Sequence, residues 1–161
     1  MTYFAAPAKN DFSSPPTPRL KLLYETIDQI RDLGCNALYL GPLFESTSHG
    51  YDTVDYYHVD RRLGDDRLLK DLIDHLHGLG VKVVIDGVFN HVGRNFWAFH
   101  DLRTKGPESL YREWFRGIDF RQNNAFGDGF RYTGWEGHKS LVSLNLDNPD
   151  LRKHILKAVQ W

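Results

Sequence analysis

The clearest pattern along the chain is a set of apolar residues with helical spacing, which occurs twice. Between residues 20 and 33 such residues recur every three or four positions until Gly34 ends the pattern. A second set follows Asp65 and Asp66, either of which can serve as a helix N-cap, and ends at Gly80. The pattern predicts two amphipathic helices, each stopped by a glycine.

Each predicted helix leads directly into a short, continuous apolar run. Residues 35–40 and 81–85 are rich in aliphatic side chains, which is typical of parallel strands covered on both faces. The single cysteine, Cys35, is expected to be a small buried side chain, and it excludes a disulfide within the chain. Because two strands cannot close a sheet, we also expect each strand to leave apolar surface exposed.

The lengths of the connections predict the fold class. Connections from helix to strand are short and those from strand to helix are long, as in a (β/α) barrel or a doubly wound sheet. A complete barrel takes about 250 residues, so this sequence predicts the early part of one. Residues 92–146 are irregular, with a turn or two of helix expected near residues 108–115. Asn148 and Pro149 then mark the start of a further helix.

Charge and hydropathy narrow the class of partner. The net charge is -1, and basic residues are interleaved with acidic ones, so no basic face favours a nucleic acid or an anionic membrane. No apolar run reaches the roughly 18 residues of a membrane span, and the N-terminus lacks the features of a signal peptide. We therefore expect no nucleic-acid partner, no membrane partner and a cytoplasmic location.

Three polar side chains follow the second predicted strand. Asp86, Asn90 and His91 lie in the hexapeptide that begins directly after residue 85. The carboxyl ends of parallel strands are where α/β barrels build their active sites. An imidazole in this place could donate a hydrogen bond to a sugar hydroxyl, and the amide oxygen of Asn90 could bind Ca²⁺ or tie down the following segment.

The long loop after the first strand carries a second group of candidates. His49, Tyr51 and Asp52 lie side by side, and Gly50 permits a tight turn that exposes the tyrosine. Loops after neighbouring parallel strands meet above the sheet. We therefore expect the residues of this loop to share one substrate-binding pocket with those that follow residue 85.

Four motifs together resemble one enzyme family. Residues 34–42, 49–56, 86–91 and 144–149 are similar, in order and spacing, to motifs of the α-amylase family of glycoside hydrolases and transglycosidases. The resemblance implies a partial TIM (β/α)₈ barrel, from the end of the first strand at residues 2–4 through the third helix, with a short irregular domain B inserted after the third strand.

The same resemblance implies a division of the chain into three parts. Residues 1–91 would form the first part of the catalytic barrel. Residues 92–146 would form the domain B-like insertion, and residues 147–161 would begin the third barrel helix. In relatives with an aspartate before the Leu-Asn pair, that carboxylate helps to hold calcium. Here the position is Ser143, so calcium stays a possible cofactor only.

The resemblance also implies a role for each candidate residue. Tyr51 would stack on the sugar at the cleavage subsite, and Asp52 would bind hydroxyls or an arginine. Asp86 would support the site through an arginine of a later strand, and His91 would bind the primary hydroxyl of the sugar. Asn90 would be structural or a calcium ligand. We count His49 with them as a substrate-binding candidate.

The implied function is that of a retaining enzyme acting on the α-glucosidic bonds of α-glucans or gluco-oligosaccharides, by hydrolysis or transglycosylation. Its nucleophile and its acid/base are expected beyond Trp161, so the chain alone is expected to be inactive. An open alternative is a non-catalytic carbohydrate-binding or accessory protein with the same barrel. A phosphate-binding α/β protein is disfavoured because neither strand is followed by a glycine-rich phosphate loop.

Overall fold

The computed structural model describes residues 1–160, without the Thr2 side chain. The chain divides into two compact units. The first contains residues 1–50 and 58–87, and the second contains residues 51–57 and the chain from Val88 onward. Trp161, the last residue of the predicted third helix, lies outside the described residues.

The helices and strands alternate in the first part of the chain and become short in the second. In chain order they are the 3₁₀ helices Thr2–Phe4 and Arg19–Glu25, α1 Ile27–Asp32, β1 Ala37–Leu40, β2 Phe44–Ser46, β3 Thr53–Val59, α2 Asp66–Gly78, β4 Lys82–Ile85, β5 His91–Gly93, α3 Trp97–Lys105, the 3₁₀ helices Gly106–Glu108 and Arg112–Trp114, β6 Gly134–Trp135, β7 His138–Ser143 and α4 Pro149–Gln160.

A parallel pair of strands is the centre of the first unit. β1 and β4 pair in parallel with Ala37 opposite Lys82 and Leu40 opposite Ile85, so both strands end at the same level. The amide of Asp86 continues the ladder by donating to the Leu40 carbonyl oxygen at 3.0 Å. The predicted parallel strands are confirmed.

The predicted second helix is α2. Asp65 is its N-cap, and its carboxylate accepts a hydrogen bond from the amide of Leu68 at 2.8 Å. Gly80 follows the end of the helix. Its φ of +77° is the left-handed conformation that commonly ends a helix. The helix packs into one apolar core with residues that precede it in the chain. The core contains Leu20, Leu23, Ile27 and Leu63 from before the helix and Leu69, Leu72 and Leu76 from the helix itself.

The first helix and the opening strand differ from the prediction. The apolar pattern of residues 20–33 is divided between the 3₁₀ helix Arg19–Glu25 and α1, because the Thr26 hydroxyl and amide both donate back to the Leu23 carbonyl oxygen. Such side-chain bonds compete with a continuous helical ladder. The segment Thr2–Phe4 is a 3₁₀ turn rather than the remnant of a barrel strand.

The two paired strands are more exposed than fully covered strands would be. Tyr39 is 62% exposed and Val84 is 50% exposed, whereas Leu40 is buried on the opposite side of β1. This exposure confirms the expectation that two strands leave apolar surface uncovered. Cys35 is exposed rather than buried, because it lies in the turn between Gly34 and the first residue of β1, where the sheet does not cover it.

The loop after β1 contains strands that the apolar pattern did not predict. β2 and β3 form a second two-stranded sheet. Beyond it, the buried side chains of Asp60 and Arg62 form an ion pair at 2.7 Å, and Asp60 accepts a hydrogen bond from the Ser46 hydroxyl at 2.8 Å. The β-branched and aromatic residues of Thr53–Val59 were the missed signal.

The second unit is built on a small antiparallel sheet with strand order β5, β7, β6. α3 was not predicted, since its apolar residues are mixed with His100 and Asp101 along a short segment. α4 was predicted, and the carboxamide oxygen of Asn148 caps it by accepting from the amide of Leu151 at 3.0 Å. Within residues 1–160, no helix has the length and apolar character needed to cross a bilayer.

Candidate functional site

Within the second unit, the segment of residues 51–57 packs against the chain that follows Val88. The buried Tyr56 hydroxyl donates to the Val88 carbonyl oxygen at 2.6 Å, and the His91 carbonyl oxygen lies 3.4 Å from it. Burial raises the pKa of Tyr56 far above its ordinary value, so the hydroxyl stays a donor at any working pH. This hydrogen bond connects the segment that follows Tyr51 and Asp52 to the chain just before β5.

Asp52 lies directly against β5. A β-carbon on Gly93 would be 2.5 Å from the Asp52 carbonyl oxygen and 3.2 Å from its β-carbon. Asp52 is only 7% exposed, and its backbone can come this close only because Gly93 has no side chain. The structure therefore brings two of the predicted site segments together, one with Asp52 and the other with His91.

The imidazole of His91 is oriented by its neighbour in sequence. His91 is 5% exposed, and its Nδ1 lies 2.9 Å from Nδ2 of Asn90. An amide nitrogen can only donate, so Nδ1 is the acceptor, and the neutral imidazole then carries its hydrogen on Nε2. This tautomer makes Nε2, which is buried in the structure, the donor nitrogen of the ring.

An aromatic residue that the sequence did not single out stacks on this imidazole. The ring centroids of His91 and Trp135 are 5.5 Å apart and the ring planes differ by 23°. Trp135 lies in β6 and follows Gly134, whose β-carbon would be 2.7 Å from the His138 carbonyl oxygen. The sequence shows Trp135 between Gly134 and Gly137, but it does not show which ring the tryptophan contacts.

The remaining candidates differ in their exposure. Tyr51 belongs to the second unit and is 45% exposed, so one of its surfaces is accessible. His49 and Asp86 belong to the first unit, where the former is exposed and the latter half-buried. Gly50 has a φ of +97°, and a β-carbon there would lie 3.2 Å from the Pro42 carbonyl oxygen, as expected for a tight turn before Tyr51.

Calcium binding by Asn90 stays a prediction. Calcium takes six to eight oxygen ligands, several of them carboxylates. The side-chain nitrogen of Asn90 contacts His91, and the backbone carbonyl oxygen of Asn90 accepts from the amide of Leu144, next to Ser143. Across residues 1–160 no group of three His, Cys, Asp or Glu side chains could hold a metal ion.

A buried ion network stabilises the chain just beyond β5. Arg94 donates to both carboxylate oxygens of Asp128, at 2.8 and 2.9 Å, and Arg103 donates to the same carboxylate at 3.0 Å. Burial alone would raise the pKa of Asp128, but the hydrogen bonds from Arg94, Asn124 and Arg103 outweigh it and lower the pKa. The carboxylate therefore stays ionised and anchors the residue that follows Gly93.

Comparison with known proteins agrees with this geometry. The sequence model described as "Alpha amylase, catalytic domain" matches residues 19–161. The chain belongs to the α-amylase family. Similar members include a cyclomaltodextrinase from Bacillus sp, which is 36% identical over 158 residues and 92% of this chain. The debranching enzyme of Nostoc punctiforme, in an acarbose-soaked crystal, is 42% identical over 84% of the chain, with a TM-score of 0.77.

A further family member matches almost the whole chain. The cyclic α-maltosyl-(1→6)-maltose hydrolase from Arthrobacter globiformis, in complex with maltose, covers 99% of it at 31% identity and a TM-score of 0.82. In the reverse direction the coverage is small. The chain spans 28% of the cyclomaltodextrinase, 29% of the debranching enzyme and 38% of the hydrolase. The chain therefore corresponds to part of an amylase-family barrel.

Proposed function

We propose that this chain supplies substrate-binding residues to a retaining enzyme that acts on α-glucosidic bonds of α-glucans or gluco-oligosaccharides. The names of its relatives support this proposal, since they describe cyclomaltodextrin, maltose-containing and branched glucan substrates. We keep both hydrolysis and transglycosylation within the proposal. A cytoplasmic location stays a prediction.

The contact between Asp52 and Gly93 is the observation that carries the proposal. The backbone and β-carbon of Asp52 lie against Gly93, which is two residues after His91 along β5. In the proposal, His91 donates to the primary hydroxyl of the sugar and Asp52 accepts from hydroxyls or pairs with an arginine. The accessible ring of Tyr51 stacks on the sugar face. Asp86 and His49 take supporting and binding roles, and Asn90 orients His91.

The division of the chain also belongs to the proposal. Residues 1–91 form the early barrel, residues 92–146 form a domain B-like insertion after the third strand, and residues 147–161 begin the third barrel helix. The short elements between α3 and β7, and the start of α4 at Pro149, support these boundaries. The compact second unit also includes residues 51–57, so the insertion packs with the site loop.

We assign no catalytic carboxylate to this chain. A retaining glycosidase needs a nucleophile and an acid about 5 to 5.5 Å apart, and both are proposed to lie beyond Trp161. Asp52 and Asp86 therefore keep binding and supporting roles. The accessory-protein alternative has no observation in its favour, because each relative compared is named as an enzyme.

One pair of assays tests the proposed function. The 161-residue chain and the protein from the complete reading frame that contains it are each incubated with maltotriose and with a cyclomaltodextrin. We expect turnover by the second protein only, with the α-anomer as first product, since the mechanism retains configuration. Turnover by the 161-residue chain that Asp86→Ala abolishes would show that the chemistry has been misplaced. Sugar binding without turnover by the complete protein would support the accessory protein.

A further inference from the structure

We propose that Trp135 is a positioning residue for His91, and that the backbone of the β6–β7 hairpin fixes the contact. The inference rests on the proposed function, in which His91 donates to the sugar. It adds a residue far from the recognised motifs in sequence, and it explains why a tight hairpin with an unusual backbone lies against the site.

The first step is that two neighbours restrain the imidazole in different directions. Asn90 bonds to Nδ1 at 2.9 Å, which fixes the rotation of the ring within its own plane. Trp135 lies nearly parallel to the ring, with 5.5 Å between centroids, which restrains the tilt of that plane. A hydrogen-bond donor that must meet a sugar hydroxyl gains from both restraints, because misplacement weakens transition-state contacts.

The second step is that the turn after Trp135 is conformationally demanding. Glu136 has a φ of +46° and Gly137 a φ of +83°, so both residues of the turn are left-handed, as in the tight turns that join two antiparallel strands. Glycine adopts this conformation readily, but glutamate does so only where its surroundings hold it. Gly134 admits no β-carbon, so the backbone on both sides of Trp135 is specified.

The third step is that one strand holds both partners. β7 pairs with β5 on one side, with Val142 opposite Val92 and Ser143 opposite His91. It pairs with β6 on the other side, with Val142 also opposite Gly134. Val142 of β7 therefore fixes the register of both strands, β6 with the tryptophan and β5 with the imidazole. A change in the hairpin is transmitted to the ring contact.

The kinetic test compares three variants of the protein from the complete reading frame. We expect Trp135→Ala to lower kcat/KM on maltotriose about 10- to 100-fold, mainly through kcat, because the transition-state contact is misplaced. Trp135→Phe should retain most of the activity, since a ring still stacks. Leu110→Ala is the matched control, because Leu110 is an 88% exposed apolar residue of the same unit, and it should leave the activity unchanged.

A double variant separates positioning through His91 from a general structural effect. If Trp135 acts through the imidazole, Trp135→Ala should have little further effect in a His91→Gln background. Equal losses in both backgrounds would overturn the proposal. Full activity of Trp135→Ala in a folded protein would overturn it as well.

A second readout does not depend on activity. The ring nitrogens and ring protons of His91 are observed by NMR in the 161-residue chain. His91→Gln is used to assign the His91 signals among those of the 8 histidines. We expect Trp135→Ala to move the His91 ring protons downfield and to mix the tautomers, and Trp135→Phe to do so less. Unchanged His91 signals would overturn the proposal. If the complete protein is inactive while the 161-residue chain shows these shifts, the proposed function is refuted and the contact between Trp135 and His91 is supported.

Discussion

Gly93 and Asp52 approach so closely that a single added carbon would not fit between them. A β-carbon on Gly93 would lie 2.5 Å from the Asp52 carbonyl oxygen, well inside van der Waals contact. The approach joins the loop after β1 to the segment after β4. It is the point at which residues distant in sequence become one candidate sugar site.

The first prediction follows from that approach. Gly93→Ala should destabilise the protein by about 1–3 kcal/mol, because the backbone of Asp52 must move to make room. It should also weaken binding of maltotriose, since Asp52 moves with its backbone. Thermal unfolding and calorimetric titration measure the two effects. Gly78→Ala is the control, since nothing lies within 4 Å of a β-carbon at that helical position and the change should be neutral or stabilising. Equal unfolding temperatures for Gly93→Ala and the parent would contradict the account.

The second prediction concerns the buried network beyond β5. Asp128→Asn removes the carboxylate that faces Arg94 and Arg103, and the side chain of Asp128 is only 4% exposed. Leaving the arginines without their anion should cost about 3 kcal/mol of unfolding free energy. Asp74→Asn is the matched control, because its ion pair with Lys70 is largely exposed and should contribute little. Chemical denaturation of both variants is the measurement, and similar losses would contradict the prediction.

We expect a half-buried histidine on α4, His154, to make the second unit sensitive to acid. The ring of His154 lies 5.5 Å from that of Trp97 and 5.4 Å from that of Trp114, between centroids. Burial lowers the pKa of His154, and the nearby charge of Lys157 lowers it further, while Asp55 partly opposes both. The neutral imidazole is therefore the form that the fold accommodates.

The third prediction is the pH dependence that results. The unfolded chain binds a proton at a pKa of about 6.5, above the folded value, so stability is fully present above that pH and is lost as the pH falls toward the folded pKa. We expect the unfolding temperature to decrease from pH 7.5 to pH 5.5. The decrease should correspond to the uptake of about one proton by His154 on unfolding. His154→Gln should flatten that slope, whereas His100→Gln, which changes an exposed histidine of α3, should not. A slope that His154→Gln leaves unchanged would assign the effect to other groups.

The helix and strands that depend on interactions between residues near in sequence were predicted from the sequence. α2 has its cap, its apolar stripe and its glycine stop within one short segment, and each is present in the structure. β1 and β4 were predicted for the same reason. The division of the first helix at Thr26 depends on one hydroxyl that bonds back to the chain, a detail that apolar spacing does not contain.

Contacts between distant segments were the part that the sequence could not provide. The motifs predicted Asp52 and His91 as site residues, and the close approach at Gly93 shows how their segments meet. Trp135 was not among the predicted site residues, because its stacking on His91 depends on the register of β7 with two other strands. Cys35 was misjudged because burial depends on which strands surround a residue.

The proposed sugar site depends on a hydrogen bond donated by His91 to the substrate. One measurement tests this hydrogen bond most directly. This is kcat/KM for maltotriose, compared between His91→Ala and the parent in the protein from the complete reading frame. We predict a decrease of about 100-fold, because a preorganised donor to the transition state is lost. An unchanged kcat/KM would contradict the proposed site.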